Sequence, residues 1–216
     1  MDYKIEILER KDSYVSQIIG ELRDKEIQQD RRRFRGNLEK MGNILAYEIS
    51  KTLKYEDHIV STPLGAATCK RLRSQPVIIS ILRAGLPLHN GFLNMLDLSE
   101  NGFISAYRHH TKGNEFVIKL EYMATPELDD KDVILIDPMI ATGKSILLCY
   151  NAIKEVGTPR NIYIAGVIAS DEGLENVQRH IPEARIYVGA VDIELTAKSY
   201  IVPGLGDAGD LAFGLK

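Results

Sequence analysis

The sequence of 216 residues lacks several features that mark particular classes of protein. No apolar run approaches the roughly 18 residues that a bilayer span requires, and the charged segment 1–12 contains no apolar signal region. There is no internal repeat and no Ser-, Gln- or Pro-rich linker. Only two cysteines are present, Cys69 and Cys149, and they form no CxxC pattern. We therefore expect a cytoplasmic protein without disulfide bonds, in which both thiols are reduced and buried.

An excess of positive charge is also lacking, because 27 Lys and Arg residues stand against 30 Asp and Glu residues and give a net charge of −3. This balance argues against a broadly basic surface that coats nucleic acid. Hydrophobic residues make up 44% of the chain and charged residues 26%. Those proportions exclude fibrous, disordered and small disulfide-stapled proteins, and they predict a single globular domain over residues 1–216.

Helical periodicity dominates the N-terminal region, residues 1–60. Apolar residues at helical spacing predict one helix over 13–26 and a longer one over 32–54. The longer helix begins in a basic cluster at residues 31–35, RRRFR, which raises the question of nucleic-acid binding. Because acidic residues surround this cluster, a solvated helix face or a subunit contact is the favoured interpretation.

From residue 76 onward, predicted strands alternate with predicted helices. Near-continuous apolar runs, typical of strands buried on both faces, cover residues 77–82, 133–136, 161–169 and 185–191. Helical patterns cover residues 86–97 and 171–180, and a further helix between them has Ile146, Tyr150 and Ile153 on its inner face and is placed to end at Gly157. This alternation indicates an α/β fold with a central parallel sheet flanked by helices.

Residues 101–123 depart from the alternation. Patterns typical of strands cover 103–107 and 115–122, and they enclose a turn-forming cluster at 111–114. We expect a β-hairpin that projects from the sheet and covers a site as a flap.

The sharpest local motif is IDPMIATGKS at residues 136–145, which follows a buried strand and opens a helix. Backbone N–H groups ahead of a helix N-terminus form an anion site, at the edge where open parallel sheets bind ligands. Thr142 and Ser145 add hydroxyl donors, and Gly143 allows close approach of the backbone. Asp137 is suited to accept hydrogen bonds from sugar hydroxyls. The combination predicts a ribose phosphate site, and the plain alternative is a helix N-cap that binds no ligand.

A nucleoside-triphosphate P-loop also ends in Gly-Lys-Ser, but it requires another glycine five positions before that glycine. The residue at this position is Pro138. A kinase or NTPase function is therefore disfavoured.

Residues 137–143, DPMIATG, also resemble the 5-phosphoribosyl diphosphate (PRPP) loop of the uracil phosphoribosyltransferases, which are type I phosphoribosyltransferases. Residues 80–86, SILRAGL, look like the diphosphate loop of that family, and residues 200–210, YIVPGLGDAGD, resemble its C-terminal uracil-binding segment. Shorter matches extend the resemblance over nearly the whole chain. It implies the type I phosphoribosyltransferase fold, with the hairpin at 101–123 as flap and residues 192–216 as a base-binding hood.

The resemblance implies transfer of the phosphoribosyl group of PRPP to N1 of uracil, which gives UMP and diphosphate in pyrimidine salvage. Its transition state resembles an oxocarbenium ion, so catalysis depends on positioning and on stabilising the departing diphosphate. Arg83 and Arg108 would bind the diphosphate, which their planar guanidinium groups suit. The implied PRPP site comprises Arg83, Arg108, Asp137, Pro138, Met139, Ile140, Ala141, Thr142, Gly143, Lys144, Ser145 and Asp207. Its implied catalytic residues are Asp137, Arg83, Arg108 and Asp207.

The implied uracil contacts are Ile201, Gly206, Asp207 and Ala208, whose backbone carbonyl and N–H groups would bind the edge of the base. Cytosine would present an amine where the loop offers an N–H, and two unpaired donors in a dry site cost about 1–3 kcal/mol. Mg²⁺ is the implied cofactor. It would be bound mainly by substrate oxygens and water, close to Asp207, with no site made of protein groups alone.

Five residues depart from the family pattern. Lys144 stands where the family usually has a second glycine, and His109 and His110 replace acidic flap residues. Thr196 replaces an asparagine, and Leu211 replaces an arginine. We expect altered PRPP affinity and no loss of a residue assigned to the chemistry.

Relatives of this kind form homodimers or homotetramers, and the N-terminal helices are suitable interface material. GTP activation is a further property that the resemblance raises, whereas membrane and nucleic-acid partners are not expected. The alternative function is a PRPP- or UMP-sensing regulator with an RNA or protein partner and little catalysis. It rests on the basic cluster at 31–35 and on the unusual flap.

Overall fold

The computed structural model describes residues 4–110 and 116–215. The strands in chain order are β1 (Ile5–Ile7), β2 (Tyr55–Thr62), β3 (Gly65–Leu72), β4 (Val77–Leu82), β5 (Glu100–His110), β6 (Phe116–Ala124), β7 (Asp132–Ile136), β8 (Met139–Ile140), β9 (Asn161–Ser170), β10 (Arg185–Asp192), β11 (Glu194–Leu195) and β12 (Ile201–Val202). The α-helices are α1 (Tyr14–Arg23), α2 (Arg31–Ser50), α3 (Leu86–Met95), α4 (Lys144–Val156), α5 (Asp171–His180) and α6 (Ala208–Phe213).

The central sheet has the strand order β1-β10-β9-β7-β4-β5-β6, with the short β8 also paired to β9. All neighbours in it are parallel except β5 and β6, which are antiparallel. The predicted α/β class with a parallel sheet flanked by helices is confirmed. Because the strands are parallel, the carboxyl ends of β4, β7, β9 and β10 lie at one edge of the sheet.

Two apolar layers cover the faces of this sheet, as alternation along β7 shows. Ile134 and Ile136 pack into the layer formed with α1, α2 and α3. Val133 and Leu135 point the other way, into the layer formed with α4 and α5. All four are fully buried, and each such side chain contributes roughly 1.5–3 kcal/mol relative to an exposed one. This burial on both faces is the reason that the strand reads as a continuous apolar run.

The two predicted N-terminal helices form with shifted ends. The α1 helix ends at Arg23, because the carboxylate of Asp24 then accepts the N–H groups of Glu26 and Ile27 and turns the chain. Asp30 starts α2 at Arg31 by accepting two N–H groups of its first turn. The longer helix ends at Ser50 and not at 54.

Several elements were not predicted from the sequence, namely β1, β2, β3, β8, β11, β12 and α6. The N-terminal region 1–60 is therefore not entirely helical. Among the described residues, the strands β2 and β3 pair only with each other and form a separate hairpin. Cys69 lies on β3 and is exposed, so the prediction of a buried thiol is wrong there, because every residue of these two strands is exposed or half-buried. Cys149 is buried as predicted.

The predicted hairpin within 101–123 is present as the β5–β6 pair, whose register runs from Phe103 opposite Ala124 to His110 opposite Phe116. The predicted turn at 111–114 lies outside the described residues.

Two arginines of the basic cluster at 31–35 make contacts within the fold. Arg33 forms an ion pair with Glu21 of α1 at 2.9 Å. Arg35 donates to the carbonyl oxygen of Ala212 in α6 at 2.7 Å. These contacts connect three helices and give these two arginines a structural use. In the part of the chain that the structure describes, no helix has both the length and the apolarity to cross a membrane.

Candidate active site

The loop at residues 137–143 follows β7 at the carboxyl edge of the sheet. Asp137 is half-buried there, its N–H donates to the carbonyl oxygen of Ala165 at 3.1 Å, and its Oδ1 accepts the N–H of Met139 at 3.2 Å. These bonds fix the carboxylate at the strand end. Gly143 ends the loop with φ of +73°, and α4 begins at Lys144. The loop that begins at Asp137 therefore leads directly into the N-terminal N–H groups of a 13-residue helix.

The α5 helix holds this loop from one side. The Ser170 hydroxyl, which also caps α5, donates to the carbonyl oxygen of Ala141 at 2.5 Å. The Asn176 amide donates to the carbonyl oxygen of Thr142 at 2.8 Å. Gly173 permits the close packing, because a Cβ there would lie 2.2 Å from the oxygen of Ala141. With these two carbonyl oxygens bonded to α5, the start of α4 presents positive potential to an anion.

Cys149 lies one turn and a half into α4, and its thiol is fully buried. Burial raises the pKa of this thiol to about 12, and the negative charge of Asp137 adds to that effect. The thiol is therefore neutral at physiological pH and is not a nucleophile at this site.

Arg83 follows β4 at the same edge of the sheet. Its Nη2 forms an ion pair with Oδ1 of Asp210 at 3.1 Å and donates to the carbonyl oxygen of Gly214 at 3.4 Å. Its Nε is buried and has no hydrogen-bond partner among the described residues. The loop closes tightly at Gly85, where a Cβ would lie 2.3 Å from Oγ of Ser80. Arg83 therefore faces α6, with donors left for a ligand.

The C-terminal segment passes over this edge through β11, β12 and α6. Ile201 and Ala208 are buried, whereas Gly206 and Asp207 are exposed. The Asp207 side chain caps α6 by accepting the N–H of Asp210 at 3.0 Å. Beside this segment lies a cleft of about 690 Å³, lined in part by Arg23, Gln28, Arg31, Gly206, Asp207 and Leu211. Two of the predicted uracil contacts, Gly206 and Asp207, thus lie at a cleft, and the other two lie in the packed interior of the segment.

The departures from the family pattern occupy defined places. Lys144 begins α4 and is not among the described residues with positive φ, so the backbone there does not require glycine. The Thr196 hydroxyl accepts the N–H of Tyr200 at 3.1 Å and closes the turn between β11 and β12. Leu211 packs against the core and lines the cleft.

The structure thus brings Arg83, Asp137 and residues 138–145 to the sheet edge over which the C-terminal segment passes. The backbone of Arg108 lies in β5, and the two histidines that follow it complete that strand; the side chains of all three lie outside the described part of the structure. The residues that contact and orient these groups were not predicted from the sequence. Asp210 pairs with Arg83, and Asn176 bonds to the 137–143 loop, but neither carries a local sequence signal for that contact.

The sequence profile of the family described as uracil phosphoribosyltransferase matches residues 10–215. The uracil phosphoribosyltransferase of Porphyromonas gingivalis is 46% identical over 205 residues, which covers 94% of this chain and 95% of that protein. The one from Pyrococcus furiosus is 39% identical over 204 residues, covering 93% of this chain and 86% of that protein. A solved structure of a protein from Aquifex aeolicus superposes with a TM-score of 0.87 at 30% identity, covering 98% and 99% of the two chains. The chain therefore belongs to the uracil phosphoribosyltransferase family.

Proposed function

We propose that this protein transfers the 5-phosphoribosyl group from PRPP to N1 of uracil and releases UMP and diphosphate. The observation that carries the proposal is the match to uracil phosphoribosyltransferases over 94% of the chain at 46% identity. The shared edge of the sheet supports it, because Arg83, Asp137 and the start of α4 all lie there. Such an enzyme belongs in the cytoplasm, where its substrates are.

The 5-phosphate of PRPP is assigned to residues 138–145. The N–H groups at the start of α4 favour negative charge there. Thr142 and Ser145 can add hydroxyl donors. Asp137, held at the end of β7 by its bond to Met139, is placed to accept hydrogen bonds from the ribose hydroxyls beside that phosphate. Together these groups orient C1 of the ribose for attack by uracil.

The diphosphate is assigned to Arg83, assisted by Arg108 of the β5–β6 hairpin. To bind diphosphate bidentately, Arg83 exchanges its 3.1 Å contact with Asp210 for phosphate oxygens. Charge-assisted hydrogen bonds from two arginines stabilise the diphosphate as the C1–O bond breaks and negative charge builds up on it. The hairpin acts as a flap that shields this step from water.

Uracil is assigned to Ile201 and to the backbone of residues 206–208. Carbonyl groups accept the N3–H of the base, and N–H groups donate to its O2 and O4. Positive φ at Gly206, +97°, suits a backbone-defined pocket. This pattern disfavours cytosine, whose amine would face an N–H donor.

The donor set fits Mg²⁺ that is bound largely through substrate. In the described part of the chain, no group of three or more His, Cys, Asp or Glu side chains is arranged to hold a metal. Asp207 is exposed at the edge of the cleft and offers a single carboxylate. It would hold Mg²⁺ together with diphosphate and ribose oxygens, and the ion would neutralise charge on the leaving group.

An assay of UMP formation tests the proposal. Purified protein with PRPP and Mg²⁺ is given uracil, cytosine or hypoxanthine, and we expect turnover with uracil that EDTA abolishes. Asp137→Asn should lose at least about a hundredfold in kcat/KM. The matched control is Asp132→Asn, which changes a carboxylate at the opposite end of β7. A folded wild-type protein that forms no UMP from uracil contradicts the proposal.

Two further properties belong to the same proposal. We propose a homodimer or homotetramer, and an enzyme whose rate responds to GTP. Mass measurement in solution tests the first, and the assay above with and without GTP tests the second.

A further inference from the structure

A buried carboxylate joins the end of the sheet to the end of the first helix. Asp192 is the last residue of β10, and its side chain is 7% exposed. Arg23 is the last residue of α1, and its Nη1 and Nη2 donate to the two carboxylate oxygens of Asp192 at 2.8 and 2.9 Å. This is the bidentate geometry in which an arginine and a carboxylate bind most strongly and with a fixed orientation.

The same pair holds both polar backbone atoms of one residue in the C-terminal segment. The N–H of Gly204 donates to Oδ2 of Asp192 at 3.0 Å. The carbonyl oxygen of Gly204 accepts from Nη1 of Arg23 at 3.1 Å. The Gly204 backbone therefore cannot rotate in either direction without breaking a charge-assisted hydrogen bond.

The backbone conformation at Gly204 adds a second constraint. Its φ is +60°, and an added Cβ would lie 2.0 Å from the carbonyl oxygen of Ile201. Gly204 thus marks a tight turn between Ile201 and residues 206–208, the two parts of the segment to which uracil is assigned. A displacement at Gly204 would move the backbone groups on both sides of it.

We propose that Arg23 and Asp192 are positioning residues for base recognition. They fix Gly204, and through it they fix the backbone groups that bind the edge of the base. The inference rests on the proposed function, because it takes the 201–208 segment as the uracil site. A pocket that recognises its ligand by backbone atoms has no side chain to readjust, and a misplacement of about 1 Å can cost a hundredfold in rate. Neither residue is assigned a contact with substrate, so neither is catalytic.

A second ion pair in the molecule provides a matched control. Arg160 donates through Nε and Nη2 to the two oxygens of Asp132 at 3.2 and 2.8 Å. Asp132 is 4% exposed and begins β7, at the amino edge of the sheet and away from the site. This pair matches the first in chemistry, in its two hydrogen bonds to one carboxylate and in burial, although it uses the Nε–Nη2 side of the guanidinium group, and it lies elsewhere in the molecule.

The experiment compares Asp192→Asn and Arg23→Lys with Asp132→Asn in steady-state kinetics. Asp192→Asn keeps the size of the side chain but removes its negative charge. Arg23→Lys keeps the positive charge but lacks the planar guanidinium group that donates two hydrogen bonds to one carboxylate. We expect the first two variants to raise KM for uracil at least about tenfold while KM for PRPP stays within about twofold. Asp132→Asn should leave both KM values within about twofold, although it lowers the unfolding temperature as a broken buried pair does.

Three results would overturn the inference. These are an unchanged KM for uracil in both folded variants, an equal rise of both KM values, or the same uracil-specific rise in Asp132→Asn. If Asp192→Asn does not fold, Arg23→Lys alone decides, because it keeps the neighbouring carboxylate paired. A wild-type protein that does not use uracil overturns the proposed function itself and this inference with it. An active wild type with unchanged variants overturns the inference alone.

Discussion

Gly143 shows how much one backbone position determines in the loop at residues 137–143, which we propose binds the 5-phosphate. An added Cβ would lie 2.8 Å from Cγ2 of Val177 and 2.9 Å from the carbonyl oxygen of Gly173. The φ of +73° disfavours any other residue on its own account. The carbonyl oxygen belongs to the backbone of α5 and cannot give way without moving that helix. Both the turn into α4 and its packing on α5 therefore require glycine here.

Gly143→Ala should lower the free energy of unfolding by about 1–3 kcal/mol and raise KM for PRPP, because the start of α4 moves. Thermal unfolding and steady-state kinetics measure the two effects. Gly36→Ala is the control, since Gly36 lies in α2 with open space around it, and there alanine should stabilise by about 0.5–1 kcal/mol. An unchanged unfolding temperature and KM in Gly143→Ala would contradict the assignment.

At the scale of elements, α5 supports the 137–143 loop. Asn176, within α5, donates to the carbonyl oxygen of Thr142, and Ser170, the N-cap residue of α5, donates to that of Ala141. Neither is assigned a contact with substrate. Because α5 is packed against the sheet, its hydrogen bonds to the loop fix the orientation of the loop.

Asn176→Ala should raise KM for PRPP by about three- to tenfold and leave KM for uracil unchanged, because one loop carbonyl loses its partner. Asn94→Ala provides the control, since Asn94 of α3 makes an exposed hydrogen bond of similar length to Glu39 of α2. Equal changes of the two KM values would show that the helix supports the whole site and not the loop in particular.

The contact between α1 and α2 gives a pH dependence. Hydrogen bonds from Arg33 and Asn37 lower the pKa of Glu21 to about 2, from a usual 4.5. A lowered folded-state pKa means that the ionised form stabilises the fold above pH 4.5 and that this stabilisation is lost as the pH falls towards 2. The advantage of wild type over Glu21→Gln in unfolding temperature should therefore be larger at pH 6 than at pH 2.5. Equal differences at both pH values would contradict this. Glu56→Gln, at an exposed pair with Arg71, should show a smaller dependence.

For the molecule as a whole, the β2–β3 hairpin stands apart, because its strands pair with no other strand among the described residues. Two strands alone are marginally stable in water, yet this hairpin exposes Ile59 and Leu64 at 73% and 99%. Exposed apolar side chains on a separate hairpin suit burial against a second copy of the chain. The hairpin adds to the N-terminal helices as candidate interface material.

The double variant Ile59→Thr, Leu64→Ser should shift the protein from an oligomer towards a monomer of 24.2 kDa, measured by light scattering. Leu98→Ser, which changes another exposed leucine outside the hairpin, should not. A wild-type monomer, or a double variant that remains assembled, would contradict the prediction.

Much of the fold could be predicted from local pattern, because apolar periodicity and turn residues are properties of consecutive positions. The buried strands β4, β7, β9 and β10, the helices between them and the β5–β6 hairpin all carry such patterns, and the motif at 136–145 combines strand, loop and helix start within ten residues. The β2–β3 hairpin was missed, since exposed strands need no apolar alternation, and the exposed Cys69 was missed with it.

The contacts that orient the proposed site residues could not be predicted, because they form only in the folded chain. Arg83 meets Asp210 across 127 positions, and Arg23 meets Asp192 across 169. Contacts between residues so far apart leave no periodic trace in the sequence, because they arise only when the sheet brings its carboxyl ends together and the C-terminal segment closes over them. The residues proposed for the site could therefore be predicted from short sequence motifs and from the family resemblance that those motifs carry. The partners that orient them were set by packing between distant elements.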